Sequence, residues 1–186
     1  MKNIKDWKKI TKLAVLLLSS LLISMASASI INELTMTATI GTTTPDIVFW
    51  QGADWDAVGG SMGAANQSVT FSSMNGKNGS LTTYTEPVLI KNKGSASYNL
   101  NLTLVDWDTI PNTLRYVNIT MYNGTSPKGS SIIILSSGPQ SRSSDVVQIN
   151  PGDSWRVQWD ICWWSNVTGS ESFTVTLKLY AEKVSS

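Results

Sequence analysis

Trp155-Arg156-Val157-Gln158-Trp159-Asp160-Ile161-Cys162-Trp163 alternates strictly through most of its length. Trp155, Val157, Trp159, Ile161 and Trp163 share one parity, while Arg156, Gln158 and Asp160 share the other. Successive side chains of a strand point to opposite faces, so this spacing predicts one apolar face and one solvated face. No helical stripe of period 3.6 fits the same residues. Just upstream, Asn150-Pro151-Gly152-Asp153 carries turn chemistry. Downstream, Phe173, Val175, Leu177, Leu179 and Ala181 alternate with Ser172, Thr174, Thr176 and Lys178.

The same period recurs towards the N-terminus. Tyr98, Leu100, Leu102 and Leu104 alternate with Ser97, Asn99, Asn101 and Thr103, and Val117, Ile119 and Met121 flank Asn118. Further strands are expected at Asp46–Gln51, Ser68–Met74, Thr82–Lys91, Ser131–Leu135 and Asp145–Ile149. Asn75-Gly76, Asn78-Gly79, Lys93-Gly94, Asn123-Gly124 and Gly138-Pro139 read as turns between them. Ser, Thr and Asn make up 58 of the 186 residues, which disfavours helices and suits strands and turns. The expected fold is all-β: a jelly-roll or immunoglobulin-like sandwich of about nine strands.

The N-terminus reads as an export signal. Lys2, Lys5, Lys8, Lys9 and Lys12 precede the apolar run from Leu13, and Ala26-Ser27-Ala28 supplies the small residues a signal peptidase needs. Leu13 to Ala28 is 16 residues, shorter than the roughly 20 that span a bilayer. Residues 1–28 are therefore expected to be removed, leaving a secreted protein with no membrane association. Five of the 14 basic residues and one of the 13 acids lie in that leader, so nine and twelve remain, a formal charge of −3. That balance argues against a nucleic-acid partner. The remaining 158 residues suit a single domain, read as a sandwich over 46–186 behind an N-terminal segment, 29–45. Cys162 is the only cysteine, so no intrachain disulfide forms. It is expected to be a semi-buried small side chain.

Histidine is absent, which removes His-activated nucleophiles and most zinc sites. No phosphate-binding Gly loop or nucleophile elbow is present. Asp54-Trp55-Asp56 and Asp106-Trp107-Asp108 are the repeated acidic motifs. They could offer oxygens to calcium or form a hydrolytic pair, but isolated doublets read more simply as turn carboxylates beside a buried Trp. Neither an enzyme nor a bound cofactor or metal is expected. Trp50 and the Trp163-Trp164 pair are candidate platforms for sugar stacking. Of these only Trp164, on the outward parity, is a serious surface candidate, and a cell-surface carbohydrate-binding module is the alternative function. Sequons begin at Asn66, Asn78, Asn101, Asn118, Asn123 and Asn166. Glycosylation is expected at some of them, with Asn101 and Asn118 on the solvent parity of their strands.

After the expected cut, Ile30, Leu34, Met36, Ala38 and Ile40 alternate with Thr35, Thr37 and Thr39, and Gly41-Thr42-Thr43-Thr44-Pro45 forms a linker. This terminal amphipathic strand can close its own sandwich, or complete a neighbour's sheet as a donor strand. Parity alone does not separate the two.

Four stretches carry a resemblance: the Thr-rich first strand leading to Asp46-Ile47-Val48-Phe49; Val88-Leu89-Ile90-Lys91-Asn92-Lys93-Gly94-Ser95-Ala96-Ser97-Tyr98; Ile149-Asn150-Pro151-Gly152-Asp153-Ser154; and Leu177-Lys178-Leu179-Tyr180-Ala181-Glu182. In order and spacing they resemble the TasA/camelysin-like biofilm fibre subunits, above all the archaeal bundling-pilus and thread subunits. The resemblance implies a jelly-roll subunit polymerised head to tail by donor-strand complementation. Its partners would be copies of itself and laterally bundled filaments of an extracellular matrix, serving biofilm formation or cell–cell adhesion. The metalloprotease activity described for some bacterial members is not implied, because this chain has neither histidine nor a metal motif.

Overall fold

The structure, a computed structural model, describes residues 31–41, 46–166 and 171–185. The expected signal, Ile30 and most of the Thr-rich linker lie outside the described residues. Twelve strands form two six-stranded sheets. In the first, the order is β10 (Val147–Ile149), β6 (Tyr98–Trp107), β12 (Ser172–Lys183), β1 (Ile31–Gly41), β4 (Ser68–Lys77) and β3 (Gly60–Met62). In the second it is β2 (Ile47–Gln51), β5 (Leu81–Asn92), β11 (Ser154–Trp163), β7 (Leu114–Asn123), β8 (Ser126–Leu135) and β9 (Gly138–Ser141). The sequence's expectation of an all-β sandwich holds, with more strands than the nine anticipated.

Alternation becomes burial on β11. Trp155, Val157, Trp159, Ile161 and Trp163 are all buried, facing the first sheet's Phe71, Val175 and Leu177 across one continuous core. Burying each such side chain contributes about 1.5–3 kcal/mol, before the entropy of ordering the chain. Trp163 meets Phe173 edge-on, with ring centres 6.2 Å apart. Cys162 has the outward parity yet is 4 % exposed and unpaired. It is more fully covered than the semi-buried position expected, between cross-strand neighbours Leu81 and Tyr116.

Three local expectations are corrected. Asn75-Gly76 is not a turn; both residues continue β4. A Cβ on Gly76 would stand 2.4 Å from Nε1 of Trp163, so glycine is there to admit the indole. The turn falls instead at Asn78–Ser80, where Gly79 has φ 69°. Gly138-Pro139 opens β9, an edge strand in which proline's missing N–H is tolerated. Strand β8 begins at Ser126, five residues early, because the Asn123–Ser126 pair closes a tight hairpin that carries Pro127 and Lys128 into the ladder.

The Asn150–Asp153 turn is as expected: Asp153 N–H donates to Asn150 C=O at 3.1 Å, and Asn150 N–H donates to the Asp153 carboxylate at 3.1 Å. Asn92, only 2 % exposed, fastens this turn to its own. Its N–H donates to Asp153 C=O and its C=O accepts from Gly152 N–H, both at 3.1 Å. Its side chain accepts from Gly94 N–H at 3.0 Å and donates to Ala96 C=O at 2.8 Å.

Candidate assembly site

Among the described residues one pair of strands is parallel: β1 lies parallel to β12 while pairing antiparallel with β4 on its other side. The N-terminal strand therefore occupies the middle of a sheet. Met36 stands opposite Val175 and Phe71, and Ala38 opposite Leu177 and Val69. Met36 is 1 % and Ala38 2 % exposed, as their parity required. The backbone of Leu34 pairs with Phe173 and Met74, and that of Ile40 with Leu179. The backbone ladder of Leu34, Met36, Ala38 and Ile40 with β12 runs unbroken, while that with β4 shifts register between Leu34 and Met36; Ile30 lies outside the described residues.

In the isolated chain this strand fills its own sheet. Its onward tie runs through residues 42–45 to Asp46, which is firmly held. The Asp46 carboxylate accepts from the Tyr98 hydroxyl at 2.7 Å, and its C=O accepts from Lys93 N–H at 2.7 Å. A Cβ on Gly94 would meet that carboxylate at 2.4 Å, so the second resembling motif and the linker's exit are one packed unit.

The four sheet edges are short. β3 and β10 have three residues each, β9 four and β2 five. Short edges are poor templates for lateral strand addition. The slot between β4 and β12, by contrast, is bordered by strands of 10 and 12 residues.

Asp54-Trp55-Asp56 lies in a turn beside a buried Trp, as expected, whereas Asp106 and Trp107 end β6 and only Asp108 lies beyond the strand. Asp54 N–H donates to Glu86 C=O at 3.0 Å while its carboxylate accepts Glu86 N–H at 2.8 Å. Asp108 repeats the device on Thr174, at 3.0 and 3.2 Å. Each aspartate thus imitates a strand residue and clips a loop to a sheet. Trp55 is buried beside Phe71, with ring centres 5.9 Å apart, and Trp107 is half-buried beneath Arg142. Among the described residues no cluster of three metal-ligating side chains occurs.

Trp155, Trp159 and Trp163 are core, as expected, and Trp164 is exposed with the Arg115 guanidinium 5.1 Å from its ring centre. Trp50, also exposed, is flanked by Lys91 and Lys93, which sequence spacing did not reveal as a group.

The sequons divide. Asn123 and Asn166 are exposed; Asn66 and Asn78 are half-buried. Asn101 and Asn118 are not on open solvent faces as expected. Asn101 donates to Ser144 C=O at 2.6 Å and accepts from Thr103 and Ser143 hydroxyls, because the segment before β10 lies across it. The Oδ1 of Asn118 is buried, between strands that place Asp160 and Ile133 beside it.

Among the described residues, no helix is long and apolar enough to cross a membrane. No protein-family model matches the chain, and comparison with curated proteins finds no significant relative.

Proposed function

We propose that this chain is the structural subunit of an extracellular filament, a bundling pilus or thread, in which β1 of one subunit fills the slot between β4 and β12 of the next. The observation that carries the reading is that β1, the first strand described and terminal once the expected signal is removed, lies in the middle of a sheet between β4 and β12. In a neighbour's slot that strand would meet the same β4 and β12 ladders that it pairs with in its own. The contact is heterologous and head to tail, so repetition builds a filament. The resemblance to fibre subunits points the same way, and with it an adhesive role in a biofilm. No catalytic step is assigned to the chain.

Thr37 and Thr176 are directly opposite across the parallel pair. Neighbouring strands lie about 4.8 Å apart, within reach of a disulfide. Two chains, one Thr37→Cys and the other Thr176→Cys, both with Cys162→Ser, are mixed, assembled and oxidised. Donor-strand exchange gives covalent dimers from the mixture. Filaments without such dimers, alongside a double variant that bridges only internally, would overturn the proposal. So would filaments formed after deletion of residues 29–40.

A further inference from the structure

Trp50 is 40 % exposed at the edge of the second sheet. The ammonium groups of Lys91 and Lys93 lie 4.6 and 4.4 Å from its ring centre. The indole also walls a cleft of about 280 Å³, completed by Gln51, Met62 and Asn66. That volume is at the lower end of small-molecule sites and suits one sugar ring rather than a peptide. The cleft exists because the loop between β3 and β4 folds towards β2. Gly63 N–H donates to Ser68 C=O at 2.9 Å, and Asn66 N–H to Gly63 C=O at 3.2 Å. To close this loop, Ala65 and Asn66 take φ values of 54° and 57°, the only non-glycine residues with positive φ among those described. An alanine there is uphill, and such strain concentrates at ligand-binding positions.

We infer that Trp50, Lys91, Lys93, Gln51 and Asn66 form a binding site for a carboxylated sugar residue of an acidic polysaccharide. An aromatic face accepts the C–H side of a sugar ring, and carboxamides match hydroxyls, which both donate and accept. The two ammoniums supply what a neutral sugar would not need. Each is a donor for a carboxylate, and such charge-assisted bonds are the stronger kind. Nearby carboxylates are already engaged: Asp46 by Tyr98 and Asp54 by the Glu86 amide. The two ammoniums thus meet at one indole, on an edge strand of the second sheet. A nucleic acid would need a longer basic track than two lysines at one indole. The inference does not depend on filament formation and concerns a different edge of the molecule from the β1 slot.

The test is affinity electrophoresis of the purified full protein in gels containing polygalacturonate, dextran or single-stranded DNA. Retardation is expected in polygalacturonate alone, and it should fade when salt is raised to about 0.5 M. Trp50→Ala should weaken it about tenfold, as should Lys91→Gln with Lys93→Gln, since the first removes the stacking face and the second both carboxylate donors. Trp164→Ala should leave it unchanged. Lys93 is exposed and Lys91 half-buried, and glutamine keeps most of each side chain's length, so the lysine variant keeps the test decisive should Trp50→Ala misfold. Equal retardation by dextran or DNA, undiminished binding by the lysine variant, or no retardation at all would overturn the site. The protein is made in a host without N-glycosylation, so that a glycan on Asn66 does not account for the last result.

Discussion

Met36 offers the most direct measure of how much the β1 slot contributes. It is 1 % exposed, set between Val175 of β12 and Phe71 of β4, where it joins both neighbours to the core. Met36→Ala removes about 1.5–3 kcal/mol of burial and leaves a cavity that rigid flanking strands cannot fully close, so the total loss is about 2–5 kcal/mol. A domain of this size holds only about 5–15 kcal/mol in all. In urea, the unfolding midpoint followed by Trp fluorescence should fall by about 1–2 M with the slope unchanged. Thr39→Ala, exposed on the opposite face of the same strand, should move stability by no more than about 0.5 kcal/mol. If strands exchange between subunits, the same deficit appears at every junction, and the concentration needed for assembly rises about 30-fold or more. Coincident midpoints for Met36→Ala and Thr39→Ala would refute the argument, because β1 would then contribute no specific packing.

Gly76→Ala should destabilise by about 1–3 kcal/mol, read by calorimetry, since its methyl group collides with Trp163. Asn92→Ala should cost about 1–3 kcal/mol by chemical denaturation, leaving Gly94 N–H and Ala96 C=O without their side-chain partner. Burial raises the pKa of the Tyr84 hydroxyl above the usual phenol value; the Asn75 backbone bond opposes this shift and the Asp54 charge adds to it. The folded state therefore holds this proton more tightly than the unfolded chain. The stabilisation is complete below pH 10 and is lost as pH rises through the folded pKa. Tyr84→Phe should flatten that alkaline loss in melting temperatures, at a cost near neutrality of about 1–2 kcal/mol from the lost Asn75 bonds. Millimolar calcium should leave the melting temperature unchanged, because Asp54 and Asp108 already spend their carboxylates on backbone N–H groups.

What could be read from the sequence was whatever a single strand encodes by itself. The parity of β11 and β12 gave their buried faces directly, and Asn150–Asp153 announced its turn through side-chain chemistry. Gly76 misled because Asn-Gly is a turn signal locally, whereas the deciding contact is with an indole 87 residues later in the chain. β3 was missed because Gly60-Ser61-Met62 has no alternation to detect; β4 recruits it. Asn101 and Asn118 had the right parity, but parity does not report what lies across a face. The β1 residues were legible as an amphipathic strand, yet only the sheet order reveals that they fill a central slot. Lys91 reaches Trp50 through the register of β2 on β5, and Asn66 through the loop between β3 and β4, neither of which a spacing rule expresses.

The parallel seating of β1 has a further consequence for the proposed assembly, one of valency. A subunit that gives one strand and receives one has two unlike ends, and its short sheet edges offer no third. Growth is then linear and polar, with an open slot at one tip and a free strand at the other. A chain lacking residues 29–41 would accept a strand but have none to give. Mixed in small amounts with the intact protein, it would act as a terminator at one tip only, shortening filaments in proportion to its fraction without changing their width.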